Sequence, residues 1–216
     1  MDFQKFMNYM PSLLQGALLT IELTLVAVFF GMILGLFLAL GRLSKNIVID
    51  KICWLYIWLF RGTPLLMQIF FIYYALPLFT AIKLNQKSAA FIALSLNSGA
   101  YLAEIIRAAI QSIDKGQMEA ARALGMSYGQ AMRRIIIPQS YRRLIPPVGN
   151  EFIALLKDSS LVSVIAMTEL MRQTSLYANS TGDASVYIPA AAIYLALTSL
   201  FTLVFEKLEK KYSVYE

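Results

Sequence analysis

The chain has 216 residues, 58% of them apolar and only 15% charged, with a formal net charge of +6. Ordinary soluble domains carry about 25% charged residues, so this composition excludes a soluble globular protein and describes an integral membrane one. There is no histidine and a single cysteine, Cys53, which removes histidine-based metal sites, histidine general bases and any intrachain disulfide.

A bilayer-crossing helix needs roughly 20 mostly apolar residues. The sequence has room for about five, near residues 12–40, 64–79, 88–110, 146–171 and 186–205. The fold class is therefore all-α, one transmembrane domain over residues 1–216. No signal-peptide cleavage pattern precedes the first span, which is expected to stay in the mature protein. That span holds Gly31 and Gly35 at a spacing that lets another helix approach closely. It also holds Glu22, a carboxylate that either reaches headgroups or faces a cavity.

Residues 47–79 are too long an apolar stretch for one straight span. The step Arg61-Gly62-Thr63-Pro64 interrupts it. Pro64 removes a helical hydrogen bond and Gly62 loosens the turn before it. The first half, with Trp54, Tyr56 and Trp58, suits a membrane interface; the true span begins at Pro64. Broken helices in transporters expose backbone groups to ligands, so Arg61 and Gln68 are candidates to line a cavity. The alternative for Arg61 is a side chain that snorkels to the interface.

The third span is rich in small residues. Asn97, Tyr101 and Glu104 fall at i, i+4 and i+7, on one helical face. They either hold the polar groups of a ligand or hydrogen-bond between helices. Glu104 and Arg107, three apart, are expected to pair.

Residues 111–145 are polar and basic. Helix formers lie on both sides of Gly125, so the stretch from Glu119 to Pro138 reads as two short helices around a glycine turn. It carries Arg122, Arg133 and Arg134. Such a hairpin between spans is either a plain basic loop or a docking element. Pro146 and Pro147 are expected to open the fourth span. In it Glu151 and Asp158 share a face, with Lys157 beside Asp158; these charges either pair or, for Asp158, touch a ligand. Residues 172–185 read as a polar loop before the fifth span and a charged tail, residues 206–216.

Orientation follows from the basic residues. With the N-terminus outside, the cytoplasmic side holds Arg42, Lys45, Lys51, Lys115, Arg122, Arg133, Arg134, Arg142, Arg143, Lys207, Lys210 and Lys211. The outer side holds only Lys5, Lys83, Lys87 and Arg172. Positive charge concentrates on the cytoplasmic side, which puts the hairpin and the C-terminus there.

Residues Glu119 to Pro138, EAARALGMSYGQAMRRIIIP, resemble the EAA loop of ABC-importer permeases, E-A-A-x3-G-x9-I-x-L-P, with Ile137 in place of the leucine. Phe60 to Pro64, FRGTP, resembles a step of the polar amino-acid subfamily. Leu156 to Val162, LKDSSLV, and Gly16 to Leu25, GALLTIELTL, are similar to two more of its segments. The resemblance implies a type I importer permease in the cell (inner) membrane. Its partners would be a cytoplasmic ABC ATPase dimer, a second permease subunit (the same chain or a related one), an extracytoplasmic substrate-binding protein and membrane lipid, with no nucleic acid.

The substrate implied is a polar amino acid, and Glu22 and Asp158 point to a basic one. Candidate substrate residues are Glu22, Gln68, Asn97, Tyr101 and Asp158. Arg61, Gly62, Thr63 and Pro64 form the helix break or gate. Coupling to the ATPase would use Glu119, Ala120, Ala121, Arg122, Gly125, Arg133 and Pro138. No catalytic residue, metal site or cofactor is expected in this chain. ATP and Mg would belong to the partner ATPase, because the sequence has no G-x-x-x-x-G-K-[ST] phosphate loop. The rival readings are a self-sufficient secondary carrier or channel subunit, and an intramembrane enzyme.

Overall fold

The computed structural model describes residues 3–80 and 82–212, with side chains from residue 8 onward; the Lys5 side chain and residues 213–216 of the charged tail lie outside it. Ten α-helices run in the order α1 (Phe3–Arg42), α2 (Ile47–Gly62), α3 (Leu65–Phe70), α4 (Leu76–Phe79), α5 (Gln86–Gln111), α6 (Lys115–Ala123), α7 (Tyr128–Ala131), α8 (Ile137–Asp158), α9 (Leu170–Thr181) and α10 (Tyr187–Tyr212). No strand occurs among the described residues. By length and composition α1, α5 and the stretch containing α10 can each cross a membrane, and the bent pair Ile47–Gly62 and Leu65–Phe79 adds a fourth span if it counts as one.

Helices α1 and α5 pack along most of their length. Glu22 meets Lys87, Gly31 meets Ser98 and Gly35 meets Ala103, so the contacts advance together and the helices run parallel. A Cβ on Gly31 would lie 3.0 Å from the Ser98 side chain, and one on Gly35 2.9 Å from the Ala103 backbone nitrogen. Lipid is as apolar as leucine, so such close backbone approach is what holds membrane helices together. Leu23, Ala27, Ala90, Ala93 and Leu94 fill this seam, and Ile69 and Leu155 close it from α3 and α8.

Helix α2 and the stretch Leu65–Phe79 that α3 opens meet at 105°. Thr63 (φ −117°, ψ 144°) and Pro64 (φ −61°, ψ 136°) are extended there. The break frees carbonyls that lipid cannot satisfy. The Gln68 amide answers them, donating to the Phe60 carbonyl at 2.8 Å and to the Thr63 carbonyl at 3.1 Å. Between α3 and α4 the chain passes through a π-helical turn, Phe71–Ala75.

The chain after α7 departs from expectation in three places. Helix α8 starts at Ile137, not Pro146, and carries Pro146 and Pro147 inside. The chain is already helical there, because α7 runs through a π-helical turn, Met132–Ile136, directly into α8, so neither Pro138 nor Pro146 opens the helix and its cap is Ser127. Helix α8 then ends at Asp158, well before Met171. A 3-10 helix, Ser159–Ile165, follows and stops at Ala166, whose φ is +61°. Val162, Ile165 and Met167 of the following apolar run are buried against α1, α3 and α5, and apolarity alone does not separate that from a continuing helix. Lastly, the polar loop expected over residues 172–185 is largely helix α9, started by Glu169 and ended by Gly182 at φ +66°.

Candidate functional site: a charged cavity at the helix break

The break between α2 and α3 lies beside the middle of α5 and the C-terminal end of α8. A cavity of about 560 Å³ opens there, lined by Arg61, Gly62, Thr63 and Pro64 from the break, Asn97 and Tyr101 from α5, Glu151 and Asp158 from α8, and Leu161 from the 3-10 segment. Two carboxylates thus face the same space as one guanidinium and one amide. A second cavity, of about 450 Å³, lies further along α5 toward the α6–α7 hairpin and is lined by Glu104, Ala108, Ser112, Arg143 and Pro147. Arg61 and Tyr101 line both.

Arg61 is held in place electrostatically. Its guanidinium carbon lies 5.3 Å from the centroid of the Tyr101 ring, a cation–π distance. Its Nη1 is 3.7 Å from Glu104 Oε2. Glu104 is itself fixed by Arg107, whose Nε donates to Oε1 at 3.0 Å and Nη2 to Oε2 at 2.7 Å. The Glu104–Arg107 pair was expected from its spacing; the link onward to Arg61 was not.

The sequence candidates separate. Asn97, Tyr101 and Asp158 come together with Arg61 to Pro64. Gln68 is buried and acts as a strut behind the wall, where its Oε1 accepts from Asn97 Nδ2 at 2.9 Å. Glu22 does not join the cavity: it is exposed on α1 and pairs with Lys87 at 2.6 Å. Among the described residues no ion pair within 4 Å includes Lys157 or Asp158. Glu151 completes the acidic pair; its seven-residue spacing from Asp158 was the available signal.

The hairpin is built as two helices around Gly125, which sits at φ +83° with open space where a Cβ would stand. Ala121 and Ala131 are buried between α6 and α7, while Glu119, Ala120, Arg122, Arg133 and Pro138 are exposed. Leu124 is 84% exposed at its tip, with Tyr128 also exposed. Gly125 to Gly129, GMSYG, spells the letters of a serine-nucleophile turn, but Ser127 stands in a reciprocal capping box with Gln130 at the start of a one-turn helix. It is not at a strand-to-helix elbow and has no histidine to serve it. Among the described residues no cluster of three or more Cys, Asp or Glu is placed to hold a metal ion.

Residues 31–214 match the family described as binding-protein-dependent transport system inner membrane component. The chain belongs to this family of membrane-embedded transport subunits. Over 212 residues it is 38% identical to the arginine transport system permease protein ArtQ of Bacillus subtilis (strain 168), covering 98% of this chain and 97% of that protein. It is 42% identical over 210 residues to the L-cystine transport system permease protein TcyB of the same organism, covering 96% and 89%. The crystal structure of an amino acid ABC transporter with histidines superposes with a TM-score of 0.92 at 42% identity, covering 98% of this chain and 99% of that one. An inward-facing form of the MetNI methionine ABC transporter superposes at 0.81 with 20% identity, which shows the shared fold alone. As a permease of this family the chain is a transport subunit, and ATP hydrolysis belongs to a separate subunit.

Proposed function

We propose that this permease carries a basic amino acid through the cavity at the α2–α3 break, as the membrane subunit of an ATP-driven importer. The observation that carries the reading is the charge arrangement of the cavity: Glu151 and Asp158 face a space that also holds Arg61 and Asn97. An amino acid with a cationic side chain presents two positive groups and one carboxylate. Two carboxylates and one guanidinium are their complement, and a site shielded from bulk water strengthens that match. The names of the arginine permease ArtQ and of the amino acid transporter with histidines support it, while that of the L-cystine permease TcyB does not.

In this reading α1, the broken pair, α5, α8 and α10 are five crossings of one domain. The N-terminus lies outside, and the hairpin and C-terminus are cytoplasmic. Two permease subunits, identical or related, enclose alternating outward and inward paths. A binding protein delivers substrate on the outer side. The hairpin seats in a groove of the ATPase, with Leu124 and Tyr128 as apolar anchors and Glu119, Arg122 and Arg133 at the rim. ATP and Mg act there, in the partner.

The test is copurification followed by transport. The assembled permease should bring down a soluble ATPase in stoichiometric amount, and proteoliposomes holding the complex and its binding protein should take up radiolabelled arginine only with ATP inside. ATP-independent uptake by the permease alone would make it a self-sufficient carrier.

A further inference from the structure

Glu169 is fully buried, yet no ion pair found among the described residues includes it. It caps α9, accepting from the backbone nitrogens of Met171 and Arg172, each at 2.8 Å. Capping alone does not account for it. Ser, Thr, Asp and Asn are the usual caps, and burying a carboxylate without a cation costs far more than a cap returns. The longer glutamate carries its carboxylate on to α10, where Tyr194 Oη donates to Oε2 at 3.0 Å.

The next residue fastens to a third helix. Leu170 N donates to the buried hydroxyl of Thr20 on α1, at 3.4 Å. Gly16 lets α1 approach so closely that a Cβ there would lie 2.8 Å from Leu170 Cα. One point therefore joins α1, α9 and α10. Helix α10 otherwise buries little of itself: Pro189 and Ala190 are its buried residues.

This joint ends the segment that begins at the cavity. Asp158 and Leu161 line the cavity, Ser159–Ile165 plugs the bundle beyond them, and Ala166 turns the chain at φ +61° into Glu169. Helix α8 runs away from the hairpin, so this segment lies at the end of the cavity opposite the hairpin. We infer that Glu169 is a positioning residue of the transport cycle: a buried clasp that, through Tyr194, holds the 159–169 plug shut over the cavity and releases it when α10 moves. This rests on the cavity being the transport path.

The test reads the plug directly. Leu161→Cys, with Cys53 replaced, is labelled by a membrane-impermeant maleimide in proteoliposomes, with reagent only on the face opposite the hairpin, so that only entry past the plug is read. Tyr194→Phe removes only the donor on α10. Glu169→Asp keeps the charge and the cap but withdraws the carboxylate by one methylene. Each should speed labelling about fivefold, the population shift that loss of one intramolecular hydrogen bond gives, and the double variant should add little. ATP hydrolysed per amino acid imported should rise in both, which a loss of folded protein alone would not produce. Labelling at the unaltered rate in Glu169→Asp would reduce Glu169 to a helix cap and overturn the clasp. Absence of arginine uptake by the unaltered complex would instead overturn the transport reading, and the labelling rates would still report on the clasp.

Discussion

The guanidinium of Arg61 lies over the ring of Tyr101, 5.3 Å from its centroid, and these two side chains are the wall shared by the two cavities. On the proposed transport path, a molecule passing from one cavity to the other meets this pair. The contact is made of a charge over a π face, so it depends on the ring and not on the hydroxyl. Tyr101→Phe should therefore transport within about twofold of the unaltered protein, while Tyr101→Leu, which forfeits about 1 kcal/mol of cation–π attraction, should lose about fivefold in coupled uptake. The check is arginine uptake per ATP hydrolysed in proteoliposomes. Equal behaviour of the phenylalanine and leucine variants would remove the ring from the wall's function.

Gly125 tests the hairpin. Open space surrounds the position of a missing Cβ, so the constraint on it is its φ of +83° and not crowding within the chain. A left-handed alanine costs about 1 kcal/mol, enough to disfavour the turn without unfolding the spans. Gly125→Asp adds a bulky charge beside the exposed Leu124. It should leave the protein inserted while copurification of the ATPase and transport are lost; Gly125→Asn, a residue tolerant of this φ, should retain more of both. Full assembly and normal uptake in Gly125→Asp would mean that the hairpin does not couple.

Orientation has a direct measurement. Ser127 is exposed on the hairpin and Asn179 is exposed on α9. With Cys53 replaced, an impermeant thiol reagent should label Ser127→Cys only from the cytoplasm and Asn179→Cys only from outside. The opposite pattern would invert the topology drawn from the basic residues.

How much of this was legible in the sequence depended on how local the cause was. The break at Arg61 to Pro64 was, because proline and glycine act on their own backbone. So was the glycine turn at Gly125, and so was the Gly31–Gly35 seam, though not that Ser98 and Ala103 would fill it. The ends of α8 were not. Pro138 and Pro146 both sit in helix that runs on from the Ser127 cap through the π turn, and a proline marks a helix start only where nothing helical precedes it. The plug after Asp158 is apolar for burial among α1, α3 and α5, a cause that lies far away in sequence. Glu22 and Asp158 are both carboxylates in apolar stretches. What separated them was Lys87, sixty-five residues from Glu22, and the turn that leaves Asp158 beside the break. Glu169 was an ionisable residue inside the expected fourth span, a signal in itself, but its use was not legible, since its partner Tyr194 and the Thr20 that holds its neighbour Leu170 come from opposite halves of the chain.

Asn97 is one half of the brace behind the cavity wall. Its amide donates to Gln68 Oε1 at 2.9 Å, and Gln68 in turn holds the Phe60 and Thr63 carbonyls. Asn97→Ala leaves a buried acceptor unpaired, at about 1–3 kcal/mol, and loosens the bend itself. Uptake of arginine and glutamine should fall together, with a lowered Tm of the purified complex. A selective loss of one substrate would assign Asn97 to substrate contact instead.

The charges divide the substrates. Glu22 pairs with Lys87 at an exposed position, and such pairs contribute about 0–1 kcal/mol. Glu22→Gln should therefore leave arginine uptake within about twofold. Glu151 and Asp158 face the cavity with no ion-pair partner among the described residues. Glu151→Gln and Asp158→Asn keep the shapes and remove the charges. A charge-assisted hydrogen bond contributes about 1.5–3 kcal/mol, so each variant should cut arginine uptake roughly tenfold or more while glutamine uptake changes about twofold at most. Basal ATP hydrolysis should persist, because neither residue touches the hairpin. The measurement is radiolabelled arginine against radiolabelled glutamine in proteoliposomes at equal protein. Equal losses for the two substrates would show that these carboxylates support the bundle and do not read the charge of the cargo, and a large effect from Glu22→Gln would move the cationic site to the α1–α5 seam.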